Sequence, residues 1–201
     1  MDQRPTGNFV AFKNREKNPG DKRPAFDGRI AMPGSEDERD FALWAHDFID
    51  RTTGEARVMF NGAASATARN ADAGTQIAAM TSGKGEDAGY SGLTLAPRQV
   101  VLFPNRFRDE APDKKRPDYW GAFNPGDGSA VVRVSAWART DRNGNVYLSG
   151  ATSYPIPGKS EAEMQDVMGA HEADISHADS QGTGPGKGGR KGGRGAAGGR
   201  E

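Results

Sequence analysis

The sequence predicts an all-β protein of two tandem four-stranded antiparallel units, arranged as a pseudo-dimer, small barrel or sandwich, with a flexible linker, a short C-terminal helix and a disordered Gly/Arg tail. Three observations predict it. The first is a repeat: Lys22-Arg23-Pro24-Ala25-Phe26-Asp27-Gly28 returns as Lys115-Arg116-Pro117-Asp118-Tyr119-Trp120-Gly121. Phe12-Lys13-Asn14 likewise answers Phe103-Pro104-Asn105, Pro33-Gly34 answers Pro125-Gly126, and Leu43-Trp44-Ala45 answers Ala136-Trp137-Ala138. An offset that stays near about ninety residues marks a duplicated unit. The second is alternation of apolar and polar residues with the two-residue period of a strand. The third is composition, which changes sharply between and behind the copies.

Of 201 residues only 34% are hydrophobic, with 28 glycines and 12 prolines, so folded and unfolded segments are mixed in one chain. Lys+Arg and Asp+Glu are 27 each, and charge distribution must carry any electrostatic argument. The absence of cysteine excludes disulfides, thiolate metal sites and cysteine nucleophiles. Met1-Asp2-Gln3-Arg4-Pro5 lacks a signal-peptide apolar core and no apolar run reaches membrane-spanning length, so the expectation is a cytoplasmic protein, of a bacterial or phage-infected cell, without membrane contact.

The first β repeat spans 8–61. Asn8 to Lys13 is apolar and aromatic and ends in a turn-rich loop through Pro19-Gly20. Pro24 biases Arg23 towards extended geometry, so Ala25 to Met32 enters the second strand. Pro33-Gly34 turns the chain into Arg39 to Phe48, and Gly54 closes the turn into Glu55 to Phe60. Residues 62–95, rich in Ala, Gly, Ser and Thr, read as a flexible linker. The second β repeat, 96–157, adds Asn143-Gly144 between Val131–Arg139 and Val146–Ser149, a tight-hairpin signal because both residues tolerate positive φ.

An acidic segment, 158–180, follows. Ser160-Glu161-Ala162-Glu163 fits a capping box that opens a short helix to about Ala170. The tail, 181–201, alternates glycine with Lys187, Arg190, Lys191, Arg194 and Arg200. It cannot bury a core.

Strand parity gives the sharpest functional reading. Val132, Val134, Ala136 and Ala138 share one face, while Arg133, Ser135, Trp137 and Arg139 share the other, joined by Tyr147 and Ser149 of the next strand. In the first copy Phe41, Leu43 and Ala45 make the apolar row, and Trp44 sits with Ala42, His46 and Phe48. Aromatics interleaved with arginine on a sheet face suit stacking of unpaired bases beside neutralised phosphates. The competing reading packs the tryptophan faces against each other between copies. The Lys-Arg-Pro loops either grip phosphates through Lys22, Arg23, Lys115 and Arg116 or are solvated turns diluted by Asp21, Asp113 and Asp118. Arg190 and Arg194 of the tail add sequence-tolerant affinity, or the tail only solubilises. The acidic segment is equally suited to fold back on the basic loops or the tail and weaken that affinity.

Enzyme signatures are missing. His171 and His177 lie in the acidic segment, and His46 lacks a carboxylate or serine partner in sequence. Gly182-Thr183-Gly184-Pro185-Gly186-Lys187-Gly188 has neither the strand nor the helix that a phosphate loop needs.

Phe12-Lys13-Asn14, the two Lys-Arg-Pro runs, Pro104-Asn105, Ser135-Ala136-Trp137 and Asn143-Gly144-Asn145-Val146-Tyr147-Leu148-Ser149 resemble an uncharacterised family of short proteins, the seven-three-six domain family of proteobacterial plasmids and mobile elements. The resemblance covers each repeat, roughly half of the chain. In the first copy Ala25 stands at the aspartate position and the turn before Gly54 is lengthened. The resemblance implies a small β-rich fold and a phage or mobile-element setting, and carries over no catalytic residue.

The expectation is a non-enzymatic, single-stranded nucleic-acid-binding accessory protein of phage or mobile-element DNA metabolism, with no cofactor and no metal. Its site residues are Trp44, Trp137, Tyr147, Arg133, Arg139, Lys22, Arg23, Lys115, Arg116, Arg190 and Arg194. Its partners are single-stranded nucleic acid, a protein at the acidic segment, and a second copy in a homo-oligomer. The alternative is a protein-interaction or structural module whose aromatic faces mediate self-association or partner binding.

Overall fold

The computed structural model describes residues 4–50, 53–66, 88–90, 92–110, 114–160, 163–164 and 166–167. The described chain is mostly β, with eight strands closed into one antiparallel barrel. These are β1 (Gly7–Lys13), β2 (Phe26–Ala31), β3 (Glu38–Ile49), β4 (Ala56–Ala64), β7 (Gln99–Pro104), β8 (Tyr119–Phe123), β9 (Val132–Thr140) and β10 (Val146–Ser153). A hairpin of β5 (Ala88–Tyr90) and β6 (Leu93–Leu95) stands apart, and α1 (Phe107–Glu110) is a single turn.

Each half of the chain forms a meander, but the meanders do not pack as two sheets. β4 pairs with β7 and β1 with β10, both antiparallel, which leaves no free edge in the sheet. Closure removes the unpaired N–H and C=O rows that an open four-stranded sheet would expose. An eight-stranded barrel is just wide enough for side chains to fill its interior. Phe9, Ala11, Phe26, Ile30, Phe41, Leu43, Phe60, Val100, Leu102, Phe123, Val132, Val134, Ala136 and Leu148 fill it here. The inward and outward rows of β3 and β9 are those that the alternation predicts. Both tryptophan faces therefore point out of the barrel, and they do not meet across an interface between copies.

Registers match across the two halves. Gly28 pairs with Phe41 as Gly121 pairs with Val134, and Gly62 pairs with Leu43 as Gly150 pairs with Ala136. A Cβ at any of the four glycines would collide with a facing backbone carbonyl. A Cβ on Gly121 would collide with the Val101 carbonyl, and one on Gly150 with the Ser135 carbonyl. Asn14 N–H donates to Ala25 O (2.9 Å), as Asn105 N–H donates to Asp118 O (2.8 Å).

Three expectations change in detail. The stretch read as a linker starts inside β4, which runs to Ala64, and ends in the β5–β6 hairpin. Leu95 of that hairpin is buried against Val101, Ala122 and Val131 on the outer barrel face, so apolar burial holds the hairpin in place. Residues 67–87 lie outside the described residues. The Asn143-Gly144 turn places only Gly144 at positive φ (80°). Asp141 Oδ1 accepts the N–H groups of Asn143 and Asn145, both at 2.8 Å, and this fixes a longer, bulged turn. The capping box forms: Ser160 N–H and Oγ donate to Glu163 Oε2 (2.8 and 2.7 Å), and Glu163–Met164 and Asp166–Val167 are helical. The rest of the expected helix and the tail lie outside the described residues.

Candidate nucleic-acid interface

The outer face of the barrel carries two similar corners, each an indole beside a Lys-Arg-Pro loop. At the first, Trp44 projects from β3 and is 37% exposed. Its Nε1–H donates to Lys22 O (2.8 Å), which ties the ring to the loop between β1 and β2. Arg23 Nε donates to Asp21 Oδ2 (2.6 Å) and its Nη1 to Glu16 (3.2 Å). Lys17 Nζ donates to the carbonyls of Asp21 and Arg23, both at 2.6 Å. The loop thus neutralises its own arginine. The Arg23 backbone N–H, and then its guanidinium, hold the Asp21 carboxyl below its ordinary range. Lys22 is exposed at the surface.

At the second corner, Trp137 Nε1–H donates to Lys115 O (3.2 Å), the same bond at the same place in the repeat. Here the indole is only 5% exposed, and the outward-facing Arg133, Ser135, Ser149 and Ala151 around it are buried too. The segment that follows β10 docks on the same loop. Met164 is 4% exposed and shares a cavity of about 110 Å³ with Ser153, Tyr154, Ile156 and residues 4–6. Two residues on, Asp166 accepts from Arg116 Nε and Lys114 Nζ, both at 2.6 Å. Arg116, itself 7% exposed, gives Nη1–H to Phe107 O (2.6 Å). The Arg116 guanidinium, and then the Lys114 ammonium, hold the Asp166 carboxyl below its ordinary range.

The expected platform of Trp137 and Arg133 is therefore not open to solvent, and the acidic segment docks on the loop to which the indole is bonded. Arg133 is fully buried and donates Nη1–H to Ser135 Oγ (2.9 Å), so it is tied into the covered face. Lys115 is exposed, whereas Arg116 is committed to Asp166 and Phe107. Arg190 and Arg194 lie outside the described residues.

An open aromatic surface exists one strand further round. Phe12 of β1 is 50% exposed and stacks on Tyr147 of β10, with centroids 6.1 Å apart and planes at 22°. Tyr147 pairs in turn with Arg139 of β9, whose Nε donates to Ser149 Oγ (2.6 Å). Asp27 pairs with both Phe12 and Ala42. Trp44 therefore shares this outer face with Phe12, two strands away and one pleat out of line, a separation of about 10 Å across the strands. The sequence reading named Tyr147, Arg139 and Trp44 and missed Phe12. The signal was available, since Phe12 is out of phase with the inward residues Phe9 and Ala11. A second aromatic row, Phe48, Phe103 and Trp120, is half-buried, and Tyr90 and Leu93 of the β5–β6 hairpin pack beside it against the same small cluster.

Among the described residues no group of three His, Cys, Asp or Glu side chains is placed to hold a metal ion, and no helix is long and apolar enough to cross a membrane. The chain matches no protein-family model, no curated protein and no solved structure.

Proposed function

We propose that the protein binds single-stranded nucleic acid without catalysis, the strand crossing the outer face formed by β3, β2, β1, β10 and β9. The observation that carries this reading is the Phe12–Tyr147 stack, half exposed, with Arg139 next to it in register. Bases stack on Phe12, Tyr147 and Trp44, and Lys22 and Arg139 lie beside the backbone. Stacking on an aromatic contributes about 1–3 kcal/mol per base. The matched registers and the paired indole bonds support reading the barrel as two fused copies of one unit, with the tail cations Arg190 and Arg194 adding affinity. The resemblance to the seven-three-six domain family supports a cytoplasmic accessory role in phage or mobile-element DNA metabolism.

Titration of a fluorescein-labelled oligo-dT by anisotropy tests this. Binding should weaken with salt at a log–log slope of about −0.7 per phosphate contact, and Phe12→Ala or Tyr147→Ala should each lower affinity by about tenfold or more. No binding at low salt would overturn the reading.

One observation favours a second reading, a protein-interaction module: a peptide segment of the chain itself docks on the loop to which Trp137 is bonded. On that reading binding to a protein partner persists as salt rises, and the oligonucleotide does not bind.

A further inference from the structure

We infer that Lys114 and Arg116 form a second phosphate site, and that the Asp166 carboxylate stands in it for a phosphodiester group. The inference rests on the nucleic-acid reading above. It adds a site on the opposite side of Trp137 from the Phe12–Tyr147 stack, and a competitor that the chain supplies itself.

Two cations of one loop converge on a single carboxylate, each at 2.6 Å. The Phe107 carbonyl holds the Arg116 guanidinium in place by a third bond (2.6 Å), so the donor is set before any anion arrives. Such charge-assisted donors suit carboxylate and phosphate oxygens alike. The neighbouring indole is fixed to the same loop through Lys115 O. This is the pairing of base platform and phosphate grip that single-strand binding uses.

The other corner shows what a permanently filled site looks like. Arg23 occupies the place of Arg116, and its Nε is taken at 2.6 Å by Asp21 of the same loop. A carboxylate two residues away cannot leave. At the second corner the matching position is Lys114, which adds a cation where Asp21 adds an anion. Its carboxylate arrives instead on a separate segment, joined to β10 through Pro155 and Pro157, and that segment is able to leave. Asp166 is 32% exposed, so an incoming anion reaches the pair from solvent. Nucleic acid that displaces Asp166 gains two cations on the loop that holds Trp137.

The test uses the full chain with fluorescein-labelled oligo-dT at low salt. Asp166→Asn should bind about tenfold more tightly than wild type, because no carboxylate has to be displaced. Adding Lys114→Ala should make the salt slope shallower by about 0.7, one phosphate contact. In the wild type, saturating oligonucleotide should speed hydrogen exchange of the Met164 amide, which is bonded to Ser160 O at 3.0 Å, and this readout does not depend on a variant that folds. If Asp166→Asn matches wild type in affinity while Phe12→Ala weakens binding, the inference fails and the proposed function stands. Slower or unchanged Met164 exchange in the complex also overturns the inference. Tighter binding of poly-glutamate, and not of the oligonucleotide, by Asp166→Asn would make the corner an acidic-peptide site instead. An oligonucleotide that binds neither protein removes the proposed function, and this inference with it.

Discussion

At the Trp44 corner the arginine of the Lys-Arg-Pro loop gives its Nε proton to Asp21, two residues back in the same loop. At the Trp137 corner the matching arginine gives it to Asp166, 50 residues away. The indole bonds are the same at both corners: each ring donates to the carbonyl of the residue before the arginine. Yet Trp44 is 37% exposed and Trp137 5%. The corners also differ at one loop position, Asp21 against Lys114. An aspartate there satisfies its own arginine. A lysine there leaves two cations that need an anion, and the chain brings one from beyond β10. The same scaffold thus pairs its loop arginine locally or across the chain according to the sign of one side chain.

The largest expected effect tests the shared scaffold beneath the corners. Gly121→Ala should cost at least about 3 kcal/mol of folding stability in urea denaturation, because the added Cβ meets the Val101 backbone and no flexible side chain can yield. Arg116→Ala comes next. It takes one of the two cations from Asp166 and the donor from the Phe107 carbonyl and should cost about 1–3 kcal/mol, whereas Arg23→Ala, which removes an exposed pair, should leave the denaturation midpoint nearly unchanged. Lys114→Asp imitates the first corner at the second. Its effect on stability should be under about 1 kcal/mol, but Met164 should lose its protection from hydrogen exchange as the segment is released.

The mildest perturbation is pH. The Asp166 carboxyl is depressed in the folded protein by Arg116 and Lys114. Its contribution is therefore present above the ordinary aspartate value of 3.8 and lost only as pH falls through the lower folded value. Trp137 emission should hold constant down to that value and shift to longer wavelength below it. A change near neutral pH would contradict the assignment of Asp166 as the anion.

Much of the barrel was legible in the sequence because strand period and repeat point the same way. Val132, Val134 and Ala136 could face only one layer, and the return of Gly28 as Gly121 fixed where β2 and β8 fall. Closure was not legible: nothing local in β4 or β7 says that Asn61 will pair with Val101, since that contact follows from sheet coiling over the whole chain. The candidate site was half legible. Parity placed Trp44, Tyr147 and Arg139 on the outer face, but parity does not distinguish an outer face from an exposed one. Trp137 and Arg133 face outward and are buried. The segment docked on the neighbouring loop is held by a bond from Asp166 to a residue 50 positions away, which no window of sequence contains. Phe12 was overlooked because its strand was read as apolar and aromatic throughout, without separating its two faces.

The account depends most directly on the two indoles having opposite accessibility on matched scaffolds. Acrylamide quenching of two single-tryptophan proteins, one keeping Trp44 and one keeping Trp137, measures this. Trp44 should be quenched readily and emit at longer wavelength, and Trp137 should be shielded. Equal quenching of the two rings in the otherwise unaltered chain would contradict the account.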